Sequence, residues 1–585
     1  MSKVFIKSAR FHLCTAVMVL AFASVAARLV FIQGMEAEAI AGQVQEARKR
    51  LIALEGKRGD ILDRHGNLLA GTRSRVTVGV DPQALEFDAV AVEHLARLLG
   101  LETEAVVDKV IRRERTDSGG AVRTIRWVPL AEVDEEVYGK VLDLGLRGVY
   151  GNRRYERYYP GRELAAHVLG YLNKEQTPVM GVERAMDFYL KGQRGWRETE
   201  VDGHRRELAA FREREVEPRS GLHVELTIDQ FVQSVVERSM QEIVEAYDPE
   251  GVCIIVSDPN SGELLGLANY PTFDPNEFWE YAVENQRNRA VTDMYEPGST
   301  FKIVPVAAAL EEGLVGPDTL IDCGQERRVY GGVNIPLPRD HRNLGIVPLR
   351  TVVAKSSNRG AAYLGMLLGE QRLHDYVSRF GFGEKTGWLL GGEIGGSLMA
   401  VADWDGYTIS RLPTGYAVGA TPMQVHLAMA ALANDGIWVG PRLLRRVIDA
   451  DTGQSLPINE VTRERIVSSE TAMLMTRLLS EVVGPEGTAG RAALPGYGVA
   501  GKTGTSRKLV EGRYVADQHV GSFSGFFPAS EPRVVITVVV DNARLPGSAY
   551  GGVVAAPAFK EIGQRLIPHL AIKKPEPLDS FIASN

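Results

Sequence analysis

Hydrophobic positions are distributed unevenly along the chain. Residues 11–32 carry one charge, Arg28, while the ten residues before them hold Lys3, Lys7 and Arg10 and no acid. A helix rising about 1.5 Å per residue spans the hydrocarbon of one bilayer at this length. No Lys or Arg follows until residue 48 apart from Arg28 itself, so the positive flank precedes the segment. The positive-inside rule then predicts a cytoplasmic tail (1–10), a single-pass anchor (11–32) in the cytoplasmic, or inner, membrane, and the remainder on its far side. Arg28 lies close enough to the far end to snorkel to the headgroups. Ser24-Val25-Ala26 would suit signal-peptide cleavage, but the apolar run continues through Leu29-Val30-Phe31-Ile32, so an uncleaved anchor is the better reading.

Beyond the anchor, Gln33 to Glu55 is rich in Ala, Glu and Arg and predicts a helix leaving the membrane. Arg58 to Ala70 predicts a strand, a turn at His65-Gly66-Asn67 and a second strand. Residues 84–145 predict short amphipathic helices. Residues 146–220 are polar with short strands, and the mixed-sign run Arg194 to Arg219 reads as a solvated face. Near residue 220 the character changes. His223 to Ile228 alternates like a strand, and Val232, Val235, Val236, Met240 and Ile243 then recur at helical spacing. Val252 to Asp258, the turn Pro259-Asn260-Ser261-Gly262 and Glu263 to Ala268 predict a hairpin. His519 to Phe527 and Arg533 to Val540 predict strands, and Val553 to Leu566 a helix. The expected fold is α+β: an antiparallel sheet with packed helices over 221–570, a mixed α/β pedestal over 33–220, and a loose tail over 571–585.

Composition narrows the partners. A chain of 585 residues is too long for a single core. Lys+Arg number 67 against Asp+Glu 74, which gives no electrostatic basis for binding nucleic acid. Mean hydropathy of -0.10 excludes a polytopic membrane protein. Three cysteines exclude a disulfide scaffold. Cys14 lies in the anchor. Cys253 and Cys323 can in principle pair, although Cys253 sits in an apolar strand and reads better as a buried thiol.

Three short motifs carry candidate chemistry. Ser299-Thr300-Phe301-Lys302 opens a helix whose body, Ile303 to Leu310, is apolar and which Gly313 ends. A serine at a helix start gains from the dipole, and a desolvated lysine on the same face can serve as its base. Alone, this pattern is more often an N-cap serine beside a surface lysine. Ser356-Ser357-Asn358 forms a turn between Val352-Val353-Ala354 and a helix over Ala361 to Leu368, supplying a hydroxyl and an amide. Lys502-Thr503-Gly504-Thr505 supplies a cation, two hydroxyls and a glycine that lets a strand approach a ligand closely. Gly496 to Thr503 also fits the phosphate-loop pattern GxxxxGK[ST], but Ala492-Ala493-Leu494-Pro495 is no core strand and no helix follows, so that reading fails.

SxxK, SxN and KTGT in this order are specific to penicillin-binding proteins and serine β-lactamases. With the single anchor, nearly the whole chain resembles the class B penicillin-binding proteins, and within them the division-specific (FtsI-type) peptidoglycan D,D-transpeptidases. Arg58 to Gly66, Arg157-Tyr158-Tyr159-Pro160, His167 to Tyr171 and Gly181-Val182-Glu183 are similar to that family's pedestal motifs. Leu226-Thr227-Ile228-Asp229 is similar to the entry of its transpeptidase domain. Thr421-Pro422-Met423-Gln424 before Ala433-Asn434-Asp435-Gly436 also fits, while Ala417 stands where the family often has glycine. Asn358 favours the division type over the elongation type.

The resemblance implies acyl transfer with a penicillin-binding transpeptidase fold. Ser299 is the expected nucleophile on a stem peptide ending D-Ala-D-Ala, and Lys302 its base. Ser356 is the expected proton relay, Asn358 the anchor of Lys302 and the substrate amide. Lys502, Thr503, Gly504 and Thr505 form the expected carboxylate subsite, with the N–H groups of Ser299 and Thr505 as oxyanion hole. No metal or organic cofactor is expected, and His519 is expected to be structural. The expected partners are peptidoglycan stem peptides, β-lactam antibiotics, the inner membrane, a membrane-embedded glycan polymerase and division proteins. The competing readings are a D,D-carboxypeptidase or β-lactamase, an elongation-type transpeptidase, and a non-catalytic β-lactam sensor or scaffold.

Overall fold

In a computed structural model of the chain, the described residues are 8–36, 38, 42, 49–85, 87–116, 122–125, 127–201, 207–208, 214–456, 461–510, 512–545, 547 and 549–574. Most of the expected N-terminal tail and of the C-terminal tail lies outside them. The coordinates divide into two compact units.

The first unit comprises residues 1–57 and 191–221. Its described residues include the α-helix Ser8–Gly34, with no acid in its sequence. Arg10–Gly34 of it has no buried residue, has a mean hydropathy of 2.2 and is long enough to cross a membrane. The helix expected over Gln33 to Glu55 is corrected at its end: Lys49–Leu54 is a strand, paired antiparallel with Gly195–Val201. Good helix formers are overridden there by a partner edge.

The second unit comprises residues 58–190 and 222–585. Its pedestal part contains the expected turn. Asp63 Oδ1 accepts from the N–H groups of His65 and Asn67, at 2.8 Å each, and joins Ile61–Leu62 to the long strand Leu68–Val80. The amphipathic helices Ala89–Leu99, Thr103–Ile111 and Glu135–Asp143 cover one face of that strand and its neighbours, burying Val92, Leu95, Val106 and Val141.

The same motif residues build a buried charge cluster. Glu183 is fully buried. It accepts from Arg58 Nε at 2.7 Å, from Arg157 Nε at 2.6 Å and from the Tyr159 hydroxyl at 3.3 Å. Arg157 also donates to Gly59 O and Thr72 Oγ1. Arg58, Arg157 and Glu183 are far apart in sequence, and their shared hydrogen bonds close this part of the fold.

From residue 223 the chain follows the predicted α+β plan. His223–Leu226 pairs in parallel with Ile61–Leu62 and antiparallel with Leu444–Ile448. A five-stranded antiparallel sheet runs in the order Leu264–Tyr270, Gly251–Ser257, Val534–Asp541, Arg513–Phe527, Ala500–Val510. Gln230–Tyr247, capped by Asp229, and Ala556–His569 pack on this sheet and on each other. Pro422–Ala433 is buried along its whole length against the other face. Gly501 and Lys502 lie inside a strand that returns as a hairpin, so no helix follows them, as the rejection of a phosphate loop requires. Cys253 and Cys323 are both buried free thiols, and Cys14 is an exposed free thiol.

Candidate active site

The segment Gly298–Lys302 is a 3₁₀ turn that runs into the α-helix Ile303–Glu311. In a 3₁₀ turn side chains three residues apart eclipse, which sets Ser299 and Lys302 on one face. Gly298 has φ 54°, and a Cβ there would stand 2.7 Å from Thr505 O. The turn therefore packs directly on the edge strand Ala500–Val510, and only glycine fits.

Lys302 is buried beneath this turn. Its Nζ donates to Ser356 O at 2.6 Å, to Asn358 Oδ1 at 2.7 Å and to Ser356 Oγ at 3.2 Å. Lys502 Nζ reaches the same Ser356 hydroxyl at 2.9 Å and donates to Thr503 O. One hydroxyl thus bridges two amines. Burial pushes the Lys302 amine down to about 7, against the pull of the Asp340 carboxylate in the other direction. Burial, and the charge of Lys302, push Lys502 well down as well. Water is scarce behind them: an apolar void of about 10 Å³, lined by Ile303, Val306, Val352 and Met475 among others, holds at most one molecule. Two ammonium groups this close and this dry cannot both be retained near neutrality.

The Ser356 turn is strained and held from below. Ser356 has φ 58°, in the left-handed region that costs a non-glycine residue energy. Asp340 fixes it: its carboxylate accepts from Ser357 Oγ at 2.6 Å, from Asn358 N and from Arg359 N at 3.2 Å. Asn358 Nδ2 donates to Arg339 O at 2.6 Å, which orients its Oδ1 toward Lys302. Ser357 Oγ caps the helix Asn358–Leu368, which begins three residues earlier than expected. Asp340 escaped the sequence reading because it stands in a loop 17 positions from Ser357 with no local motif to mark it. Replacing Asp340 with alanine removes three hydrogen bonds from the turn. A misplacement of about 1 Å costs on the order of 100-fold in rate, and a fall of that size in the rate of acylation by a fluorescent penicillin is expected.

The KTGT residues separate by strand alternation. Thr503 and Thr505, with Ser299, Ser356 and Asn358, line a cleft of about 1170 Å³. Lys502 and Gly504 do not line it: Lys502 faces Ser356 from behind. Gly504 packs on the Ser299 turn, where a Cβ would come within 2.4 Å of Ser522 Oγ and 2.9 Å of Pro297 O. The close approach expected of this glycine is thus made by protein backbone. Thr503 Oγ1 shares a hydrogen bond of 2.9 Å with Thr488, and Gly551 N donates to Thr505 Oγ1 at 3.2 Å. Arg411, Arg491 and Arg507 also line the cleft, giving it a cationic wall that the motifs alone did not reveal. His519, expected to be structural, lines it too, opposite Arg507 on the neighbouring strand. Burial, then Arg507, lowers the His519 pKa and favours its neutral form.

Comparison with known proteins agrees with this geometry. Residues 252–564 match the model of the penicillin binding protein transpeptidase domain, and residues 53–226 that of the penicillin-binding protein dimerisation domain. The chain is 32% identical to stage V sporulation protein D of Bacillus subtilis over 95% of its own length and 85% of that protein. It is 28% identical to the peptidoglycan D,D-transpeptidase FtsI of Escherichia coli K12, over 94% and 90%. The crystal structure of penicillin binding protein 3 from Mycobacterium tuberculosis in complex with aztreonam superposes with a TM-score of 0.67 at 27% identity, covering 90% of this chain and 99% of that one. Both domain models match on one chain, the dimerisation domain before the transpeptidase domain, and the three motifs share one site at the head of the cleft, so the chain belongs to the class B penicillin-binding proteins, of the FtsI type.

Proposed function

We propose that the chain is a serine D,D-transpeptidase that cross-links peptidoglycan stem peptides in septal wall synthesis and is acylated by β-lactams. The observation that carries this reading is the bridging of two buried lysines by Ser356 Oγ directly beside the Ser299 turn. Ser299 Oγ attacks the carbonyl carbon of the penultimate D-Ala and passes its proton to the neutral amine of Lys302. The tetrahedral intermediate places its oxygen on the N–H groups of Ser299 and Thr505, each such donor being worth about 3 kcal/mol. The C–N bond breaks, the proton travels through Ser356 to the leaving nitrogen, and free D-Ala departs. An amine of a second stem then attacks the ester, forms the cross-link and returns the proton to Ser299. Asn358 holds Lys302 in line. Burial is what keeps the Lys302 amine ready to lose its proton. Lys502 donates to the Ser356 hydroxyl that Lys302 also reaches, and Thr503 and Thr505, beside Arg507, bind the terminal carboxylate.

The relatives named above support the substrate class, and the helix Ser8–Gly34 supports anchoring in the inner membrane with the N-terminus in the cytoplasm. A glycan polymerase in the same membrane and other division proteins complete the proposed partners. The test is a partition assay with a stem peptide ending D-Ala-D-Ala and a D-amino acid acceptor. Transpeptidation predicts release of one D-Ala per acceptor incorporated. Release of D-Ala without incorporation, at saturating acceptor, would instead identify a carboxypeptidase.

A further inference from the structure

Outside the catalytic cleft, His65, Asp229 and His569 bring three donor atoms within 4.8 Å of one another. We propose that these side chains bind one divalent transition-metal ion of the zinc type. His65 comes from the pedestal turn, Asp229 from the start of the helix Gln230–Tyr247, and His569 from the last turn of Ala556–His569. Both imidazoles aim Nε2 at the same oxygen: His65 Nε2 lies 3.1 Å and His569 Nε2 2.9 Å from Asp229 Oδ2. A tetrahedral zinc with bonds of about 2.0–2.1 Å separates its ligand atoms by roughly 3.3 Å, so the ion is admitted when the two His–Asp distances widen by a few tenths of an ångström and the two Nε2 atoms, which lie within 4.8 Å, take up that same spacing.

The donor set suits zinc. Two imidazole nitrogens with one carboxylate oxygen form a donor set that zinc accepts, the imidazoles favouring it over calcium or magnesium, and three protein ligands leave a fourth position for water. The side chain of His65 is 56% exposed, which gives the ion an entry path, whereas that of Asp229 is 2% exposed. The groups are also held in place before any metal arrives. Asp229 Oδ1 accepts from Phe231 N and Val232 N and also lies 3.0 Å from His569 Nε2, so the helix start fixes the carboxylate through Oδ1 while Oδ2 faces both imidazoles. Asp63, fully buried, holds His65 N and Asn67 N through Oδ1 and Gln230 N through Oδ2, tying the turn to the start of the helix. The Phe231 ring stacks on His569 at 4.3 Å and sets its plane. The His569 position at a helix C-terminus adds a favourable dipole for a cation.

None of the three residues lines the catalytic cleft, so the ion would be structural, joining segments at positions 65, 229 and 569. The inference is independent of the transpeptidase reading. The experiment uses the full chain in detergent without a polyhistidine tag, stripped with a chelator and titrated with zinc chloride, with cobalt(II) as spectroscopic substitute. The expected result is one zinc per chain, a raised Tm and cobalt d–d absorption. In His65→Ala and in His569→Ala the affinity falls by more than about 100-fold, beyond the cost of losing an outer-shell partner, and the zinc-dependent rise in Tm disappears. Far-UV circular dichroism and a cooperative melt report that each variant is folded. Absence of stoichiometric zinc from folded wild-type protein, or equal zinc affinity in folded variants, would overturn the proposal.

Discussion

Replacing Lys302 with methionine is expected to slow acylation of the protein by a fluorescent penicillin about 1,000-fold, inside the ~10²–10⁴ range that a positioned general base supplies. Methionine keeps the apolar stem in its buried channel and removes the amine, so the fold loses three hydrogen bonds to Ser356 and Asn358 but no volume. The wild-type pH profile carries the same information. Burial lowers the Lys302 amine to about 7. The free amine is the base, so the acylation rate should rise as pH increases through about 7 and level off above it. Asp340 works against burial by favouring the ammonium form. Asp340→Asn should therefore move the midpoint to lower pH. A profile that is flat between pH 6 and 8.5, or an unchanged rate in Lys302→Met, would remove Lys302 from the base role.

The largest expected effect on stability lies far from the nucleophile. Glu183→Ala would leave the guanidinium of Arg157, whose side chain is 3% exposed, and that of Arg58 without their shared carboxylate. Arginine cannot shed its proton to escape. Breaking a buried ion pair from one side costs about 3–5 kcal/mol because an uncompensated charge stays behind. Asp187 relieves Arg58 in part, through its own ion pair, so the loss concentrates on Arg157. A lower midpoint of thermal denaturation for the full chain in detergent, with penicillin labelling lost at a correspondingly lower temperature, is the expected result. A midpoint equal to that of the wild type would show that this cluster does not hold the pedestal together.

Much of the site was legible in the sequence, for reasons that are local. Ser299 and Lys302 lie three apart before an apolar helix, which sets them on one face. The hairpin ending near Ala268 and the strands near the C-terminus follow from short continuous runs of apolar, largely β-branched residues bounded by turn residues, and these strands are buried on both faces. What was illegible depends on contacts between distant segments. Asp340 is an ordinary loop aspartate until the fold brings it under Ser357. The left-handed φ of Ser356 is imposed by that anchoring and by the lysines above it, and serine gives no sign of it. The separation of Lys502 from Thr503 and Thr505 follows from strand alternation, yet the three read as one subsite while the motif is taken as a unit. Lys49–Leu54 reads as helix from propensity and becomes a strand because Gly195–Val201 offers an edge.

The central claim is that Ser299 is the residue acylated. Incubation of the full chain with a penicillin, followed by intact-mass measurement and peptide mapping, tests it directly. The account predicts a single adduct of one penicillin mass per chain, borne by the peptide that contains Ser299 and absent from Ser299→Ala protein that melts like the wild type. An adduct on any other residue, or one that persists in Ser299→Ala, would contradict it.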